Sequence, residues 1–424
     1  MTNELEFLKK YNFWQGIFPN LGFARADYLD KISNFINNKL IKVLVGQRRA
    51  GKSYILRQII KSLTEKSVNP KNILYISKEF TDFDFIKTYK DLESLVNLYK
   101  KEIKPQGRIY LFIDEIQNIE GWEKLINSYS QDFAENYEIF ISGSNSKMLS
   151  GELATLLSGR YVQFEILPFS FEEYAGFTQK EISKQSYLSY LQSGALPELF
   201  SFSNEEAKRN YISSVKDTVF LRDIIERRKV AEPKLLEDIF AYLINNSASL
   251  VSIANIVNFF KSKNRKTTYD TVANYIGYMQ DAFLIHKAER YNIRGKETIA
   301  GNSKYYMNDL AYKNYLYSGF GLGIGYQLEN LIYLELRRAG FAVYVGYLGS
   351  KEVDFAAVNG GRIIYLQSAY LLADADTALR EYGALEKIKD NYEKYVVSLD
   401  DVNFGVKDGI KHLQAWNLKN ILKP

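Results

Sequence analysis

The octet Gly46-Gln47-Arg48-Arg49-Ala50-Gly51-Lys52-Ser53 constrains this chain more than any other stretch. A short apolar run, Leu40–Gly46, leads into it, and Ile55, Leu56, Ile59 and Ile60 recur at helical spacing behind it. A strand therefore turns through a glycine-bounded loop into a helix. Glycines at both ends let backbone N–H groups face inward, and the helix N-terminus adds partial positive charge. Such a cradle suits phosphate oxygens.

Strand, loop and helix in this order make a Walker A motif. Lys52 is placed to reach the β- and γ-phosphates, and the Ser53 hydroxyl to ligate Mg²⁺. Gly46 through Ser53, with Tyr54 next in line, are assigned to the nucleotide. A second run, Arg108-Ile-Tyr-Leu-Phe-Ile-Asp114-Glu115, has the composition of a buried strand and ends in two carboxylates. Asp114 is expected to hold Mg²⁺ through water. Glu115, beside the metal, can orient and deprotonate an attacking water, which favours hydrolysis over phosphoryl transfer to a second substrate. A third strand, starting at Tyr137, ends in Gly143-Ser144-Asn145. Strand C-termini line the ligand crevice of an open parallel sheet. Asn145, or Ser144, is thus placed to sense the γ-phosphate or the water, although both types are also ordinary turn residues. Asn72–Lys78 and Tyr161–Leu167 supply two further strands. About five strands alternating with helices predict a three-layer α/β domain over residues 1–175.

The segments Gly-Gln-Arg-Arg-Ala-Gly-Lys-Ser, Phe-Ile-Asp-Glu-Ile-Gln and Ile-Ser-Gly-Ser-Asn resemble the AAA-type ATPases of bacteria and archaea. Leu157-Ser-Gly-Arg160 and the run Leu167–Glu173 resemble, more narrowly, a subgroup with a C-terminal domain of unknown function related to the PD-(D/E)XK nuclease fold. The resemblance implies ATP with Mg²⁺, adenine rather than guanine, and a cytoplasmic protein. It also places Arg160 as a γ-phosphate finger or sensor, in cis or in trans. In trans, it requires a homo-oligomer. The alternative for Arg160 is a surface ion pair.

Over residues 176–315 the alternating strands give way to helices, expected at Asn210–Arg227, Lys234–Asn245, Val251–Lys261 and Thr268–Ala282, the last capped by Thr268. Two strand-like runs follow, Phe283–Tyr291 and Ser303–Met307. Three helices and a two-stranded wing suggest a winged helix, which the resemblance supports. Lys261, Lys263, Arg265 and Lys266 precede the last helix and could neutralise DNA phosphates. That helix offers no arginine to read guanine, so a rigid lid or a protein-contact module is the competing reading.

Residues 316–424 resemble the PD-(D/E)XK core. Glu329 lies on a helix among Ile332, Tyr333 and Leu336, and Asp354 begins a strand after Lys351-Glu352. These two match the metal-binding acids of that fold. Gln367 replaces the next acid, and Ala369 stands where the lysine should be, two residues along the same strand face. Lys351 is a conceivable substitute from another strand end. Without the lysine nothing obvious activates water, and the domain is read as an inactive nuclease-like platform.

Composition narrows the remaining choices. With no cysteine and two histidines, His286 and His412, thiolate metal sites and histidine-based triads are set aside. No run of about 18 apolar residues suggests a membrane span, and the N-terminus does not read as a signal peptide. A net charge of +5 on 424 residues says little about nucleic acid. The expected protein is an ATP-driven switch or motor coupled to a winged helix and an inactive nuclease-like domain. An ATP-gated DNA nuclease and a non-hydrolysing ATP-binding adaptor are the alternatives.

Overall fold

The computed structural model describes residues 2–144, 157–318, 323–349, 351–372 and 375–422. The chain forms two compact units, Met1–Ile166 and Leu167–Pro424.

The N-terminal unit is built on five strands, β1 (Ile41–Val45), β2 (Ile73–Ser77), β3 (Ile109–Asp114), β4 (Tyr137–Gly143) and β5 (Tyr161–Glu165). They pair in the order β2-β3-β4-β1-β5, and every pairing is parallel. These are the five strands that the apolar runs indicate. Residues of β1 to β4 are buried along their whole length, because helices cover both faces of a parallel sheet. The helices are α1 (Thr2–Tyr11), α2 (Ala26–Ser33), α3 (Lys52–Glu65), α4 (Tyr89–Ile103) and α5 (Trp122–Gln131). Ile55, Leu56 and Ile59 of α3 pack on Leu44, Phe112 and Phe140 of the sheet. The Phe112 and Phe140 rings stack at 4.4 Å.

One ion pair interrupts this apolar core. Lys42 in β1 and Glu138 in β4 are both fully buried and bonded to each other. Glu138 also accepts from Arg108 Nη1 at 3.1 Å and from the Asn37 N–H at 2.9 Å. Buried charges persist when paired and hydrogen-bonded in this way.

The C-terminal unit opens with α6 (Phe171–Thr178), α7 (Lys184–Ser193) and α8 (Glu205–Thr218). The last widens into π-helical turns over Val219–Ile225. Next come α9 (Pro233–Asn245), the short β6 (Leu250–Val251), α10 (Ile253–Ser262) and α11 (Tyr269–Asp281). Thr268 caps α11 as expected, its side chain accepting from the Thr271 N–H at 3.2 Å. A hairpin follows, β7 (Ile285–Asn292) and β8 (Glu297–Met307), and then α12 (Ile324–Arg338), β9 (Ala342–Leu348), β10 (Lys351–Asn359) and β11 (Arg362–Ala369). Helix α13 (Ala375–Leu385), β12 (Glu393–Ser398), β13 (Val406–Lys407) and β14 (Ile410–Gln414) complete the unit.

All nine strands join one mixed sheet, β13-β14-β12-β11-β10-β9-β7-β8-β6. The hairpin is not a free wing, since β7 pairs in parallel with β9. The sheet thus runs straight through position 315/316, where the sequence suggests a domain border. A free strand edge in the hairpin and a free edge in the following layer satisfy each other's backbone groups.

Candidate functional site

The loop from Gly46 to Gly51 leaves the C-terminal end of β1 and enters α3 at Lys52. Gly46 holds φ +145°, and a Cβ there would stand 2.3 Å from the Ile166 carbonyl oxygen. Only glycine fits that approach. Gly51 caps α3 with φ +100° and Arg49 also takes positive φ, +67°. Within the loop, Gln47 and Ala50 are fully buried, and the Ala50 N–H reaches the Gln47 carbonyl at 3.2 Å. Arg48 pairs with Glu79 at 3.2 Å. Tyr54 faces outward, its ring under the Arg57 guanidinium.

Lys52 folds back over the loop. Its Nζ donates to the carbonyls of Gly46 and Gln47 at 3.0 and 3.1 Å and lies 3.8 Å from Glu115 Oε1. The lysine, buried to 4% exposure, is thus held by backbone oxygens and a neighbouring carboxylate. Ser53 begins the first turn of α3 and hydrogen-bonds Asp114 at the end of β3.

Asp114 is buried and heavily solvated by hydroxyls. Ser142 Oγ donates to its Oδ1, while Ser77 Oγ and Tyr75 OH approach Oδ2 at 3.2 and 3.3 Å. Burial, with the Glu115 charge beside it, raises the Asp114 carboxyl above the usual range, against the lowering effects of Ser142, Ser53 and Lys52. Glu115 goes the other way. Burial pushes it up, but Lys52 and Arg48, with Gln117 and Ser144 donating, together hold it below its ordinary value. Its backbone sits in the left-handed region, φ +55°, an arrangement that costs energy and recurs at functional sites. The turn is fixed by the Glu115 N–H donating to Ser142 Oγ at 3.2 Å.

A hard cation held by one hydroxyl, one carboxylate, phosphate oxygens and water is the ordinary magnesium arrangement. Ser53 and Asp114, already within hydrogen-bond reach of each other, fit that requirement. Among the described residues no cluster of three or more acids or histidines is open to a metal ion, and this site needs none.

Several participants escaped the sequence reading. Gln117 donates to Glu115 Oε2 at 2.5 Å, and its own amide oxygen is buried without a partner. The Arg25 side chain, 2% exposed, reaches the Ala50 carbonyl at 3.1 Å from the chain segment before α2. Neither has a local pattern that would announce it. Asn145 lies outside the described residues. Arg160 is exposed, and its carbonyl receives the N–H of Ile41 at 2.9 Å. It therefore sits at the N-terminal end of β5, across the length of β1 from the loop. Five strand residues separate the two ends, about 16 Å. Arg160 does not reach the loop of its own chain.

In the C-terminal unit, Glu329 on α12, Asp354 on β10 and Gln367 on β11 do converge. Asp354 falls in a register shift of β10 against β9 between Val353 and Ala356, a bulge that redirects side chains. Its N–H donates to Gln367 Oε1 at 3.2 Å. Its Oδ2 accepts from Ser368 N–H and Oγ at 2.9 and 2.8 Å. Ala369 packs in the apolar cluster beneath. The sequence gives no sign of what fills the centre. Lys304 of β8, 4% exposed, contacts Glu329 and Glu352 at 2.8 Å each and Asp354 at 3.4 Å. Tyr306, two residues along the same strand face, donates to Glu329 at 2.8 Å. Burial and the Asp354 charge push Glu329 up to about 8 despite these donors. Lys351, the substitute considered from sequence, is exposed. His412 Nδ1 accepts the Phe404 N–H, so Nε2 carries the proton and donates to Ser398 Oγ, whose own proton goes to Asp400.

Residues 38–175 match the family described as AAA domain. Residues 184–325 match a domain of unknown function (DUF8612). The chain is 35% identical over 381 residues to an uncharacterized protein of Haemophilus influenzae, covering 88% of this chain and 93% of that one. It is 33% identical over 425 residues to uncharacterized protein MJ1544 of Methanocaldococcus jannaschii, covering 94% and 89%. The chain belongs to their family. Residues 38–175 are an AAA-type P-loop ATPase domain, and a separate domain of unknown function follows. Among solved structures it is similar to the Walker-type ATPase PABY2304 of Pyrococcus abyssi, at 16% identity and a TM-score of 0.45, over 71% of this chain and 99% of that one. Among the described residues of this AAA-domain protein, no helix is long and apolar enough to cross a membrane.

Proposed function

We propose that this AAA-domain protein binds ATP with Mg²⁺ and hydrolyses it, acting as a nucleotide-driven switch or motor on a partner. The observation that carries this reading is the meeting of three elements at one point: Lys52 on the glycine loop, the Ser53–Asp114 pair, and Glu115 within 3.8 Å of the lysine. Lys52 Nζ donates to the backbone carbonyls of Gly46 and Gln47 and lies 3.8 Å from Glu115. Triphosphate is a stronger partner for it than either, so binding draws the ammonium onto the β- and γ-oxygens and releases Glu115 toward water. Ser53 and Asp114 would hold magnesium, which would supply charge neutralisation at those oxygens.

Glu115 is held ionised and can accept a proton. A water oxygen attacks γ-phosphorus in line, the bond from phosphorus to the β-bridging oxygen breaks, and the water proton passes to Glu115. ADP and inorganic phosphate leave. Gln117 supports the base by donating to its second oxygen, and Asn145 and Ser144 remain candidates for sensing the γ-phosphate. Glu115→Gln is expected to keep Mg-ATP affinity within a few-fold while single-turnover hydrolysis falls by about 100-fold or more. Wild-type turnover in that variant would reject Glu115 as the base.

Arg160, remote from its own loop and exposed, is assigned to a neighbouring chain's γ-phosphate, which makes the working form a homo-oligomer. Helices α9 to α11 followed by the β7–β8 hairpin support the winged-helix reading of the middle region. Arg265, one of the four basic residues before α11, is bonded to Asp238, which favours a structural or protein-contact role over DNA. The ATP-gated nuclease and the non-hydrolysing adaptor are the competing readings; the first bears on the acid cluster of the C-terminal unit.

A further inference from the structure

The PD-(D/E)XK resemblance implies a divalent metal between Glu329, Asp354 and Gln367, and the residues present do not fit one. The three protons of the Lys304 ammonium match three acids, Glu329, Glu352 and Asp354, at 2.8, 2.8 and 3.4 Å. Other ligand atoms of the cluster are engaged as well. Gln367 Oε1 takes the Asp354 N–H, and Asp354 Oδ2 takes two donors from Ser368. Glu329 Oε1 carries the Tyr306 hydroxyl in addition to the ammonium. A metal ion would need oxygens facing a common, open point, and that point holds a nitrogen.

We propose that Lys304 is a built-in cation that takes the metal's place among Glu329, Glu352 and Asp354, closing the nuclease-like site to divalent ions. The lysine comes from a strand the nuclease pattern does not use. Lys304 and Tyr306 line one face of β8, while Tyr305 and Met307 on the other face pack into the helical core. Neighbouring Asn330 of α12 clamps the same strand, exchanging hydrogen bonds with the Met307 N–H and carbonyl at 2.7 and 2.8 Å. Ammonium position is thus set by the hairpin and by α12 together. An ammonium on a covalent tether cannot dissociate, so the cluster is permanently neutralised in part. It joins β8, α12 and β10 as a cross-brace instead of a hydrolytic centre. The C-terminal unit then acts by binding and not by metal-dependent phosphodiester cleavage.

The test uses the full chain without nucleotide and Mn²⁺ as the probe, counting free ion by electron paramagnetic resonance. Wild type, Asp354→Asn and the gentler Glu352→Gln are expected to give superimposable isotherms, since any Mn²⁺ taken by the glycine loop is common to all three. A Mn²⁺ site in the wild type that either variant loses overturns the proposal. So does Mn²⁺-dependent cleavage of linear DNA by the wild type that disappears in Asp354→Asn. Lys304→Met supplies the positive arm. It is expected to melt below the wild type and to gain, with millimolar Mn²⁺, on the order of 3 °C more than the wild type gains. Wild-type melting in Lys304→Met without any Mn²⁺ response contradicts the proposal. Should Lys304→Met not fold, the isotherms and the cleavage assay still decide.

Discussion

A carboxyl group withdrawn from water must find donors or a proton, and Asp309 uses both. It is 1% exposed and accepts the Ala195 N–H at 3.0 Å and the Ala311 N–H at 2.7 Å. Burial nevertheless raises it to about 7 from an ordinary 3.8. Between those two values the folded state holds a proton that the unfolded chain has released, so stability falls as pH rises through that window. Glu335, raised to about 7 by burial, acts with the same sign. The melting temperature of the C-terminal unit is therefore expected to drop between pH 5 and pH 8. The slope should be on the order of 1 kcal/mol per pH unit for each such group, and shallower in Asp309→Asn. A melting temperature that rises over that range contradicts the burial argument. At this scale the sequence was informative where function forces a local pattern. Lys52, Ser53, Asp114 and Glu115 stand at strand ends and loop positions that read directly. Lys42, Glu138 and Lys304 do not, because each is a lone charge in an apolar run whose partner lies tens of residues away and is set by strand pairing.

Elements were legible in proportion to how local their hydrogen bonding is. The five parallel strands of the AAA domain and the helix behind the glycine loop each carry their own apolar run or periodicity. The strands β6, β9, β13 and β14 were missed. The burial of β9 alternates irregularly, and both residues of β13 are exposed. The junction of β7 with β9 was likewise invisible, since nothing in either segment states which edge it meets. Gly194, between α7 and the turn that approaches Asp309, shows how tightly such junctions are built. It holds φ +77°, and a Cβ there would stand 2.4 Å from Asp309 Oδ1 and 2.6 Å from the Ala311 Cβ. Backbone strain and overlap with a buried carboxyl act together. Gly194→Ala is expected to destabilise the C-terminal unit by about 3 kcal/mol or more, read as a lower urea midpoint. An unchanged midpoint would mean the turn relaxes freely.

For the molecule as a whole, chemistry and recognition are assigned to different units. Met1–Ile166 carries the glycine loop, the paired carboxylates and the Arg160 edge. Leu167–Pro424 carries a single sheet of nine strands, in which the middle and final regions read from sequence share backbone hydrogen bonds. All of this depends on the nucleotide cradle. Calorimetric titration of ATP into the wild type and into Lys52→Ala, with and without Mg²⁺, tests it most directly. The account predicts magnesium-dependent binding by the wild type, weakened by about 100-fold or more in Lys52→Ala. Equal affinity in the two proteins, or no binding of Mg-ATP by the wild type, would contradict it.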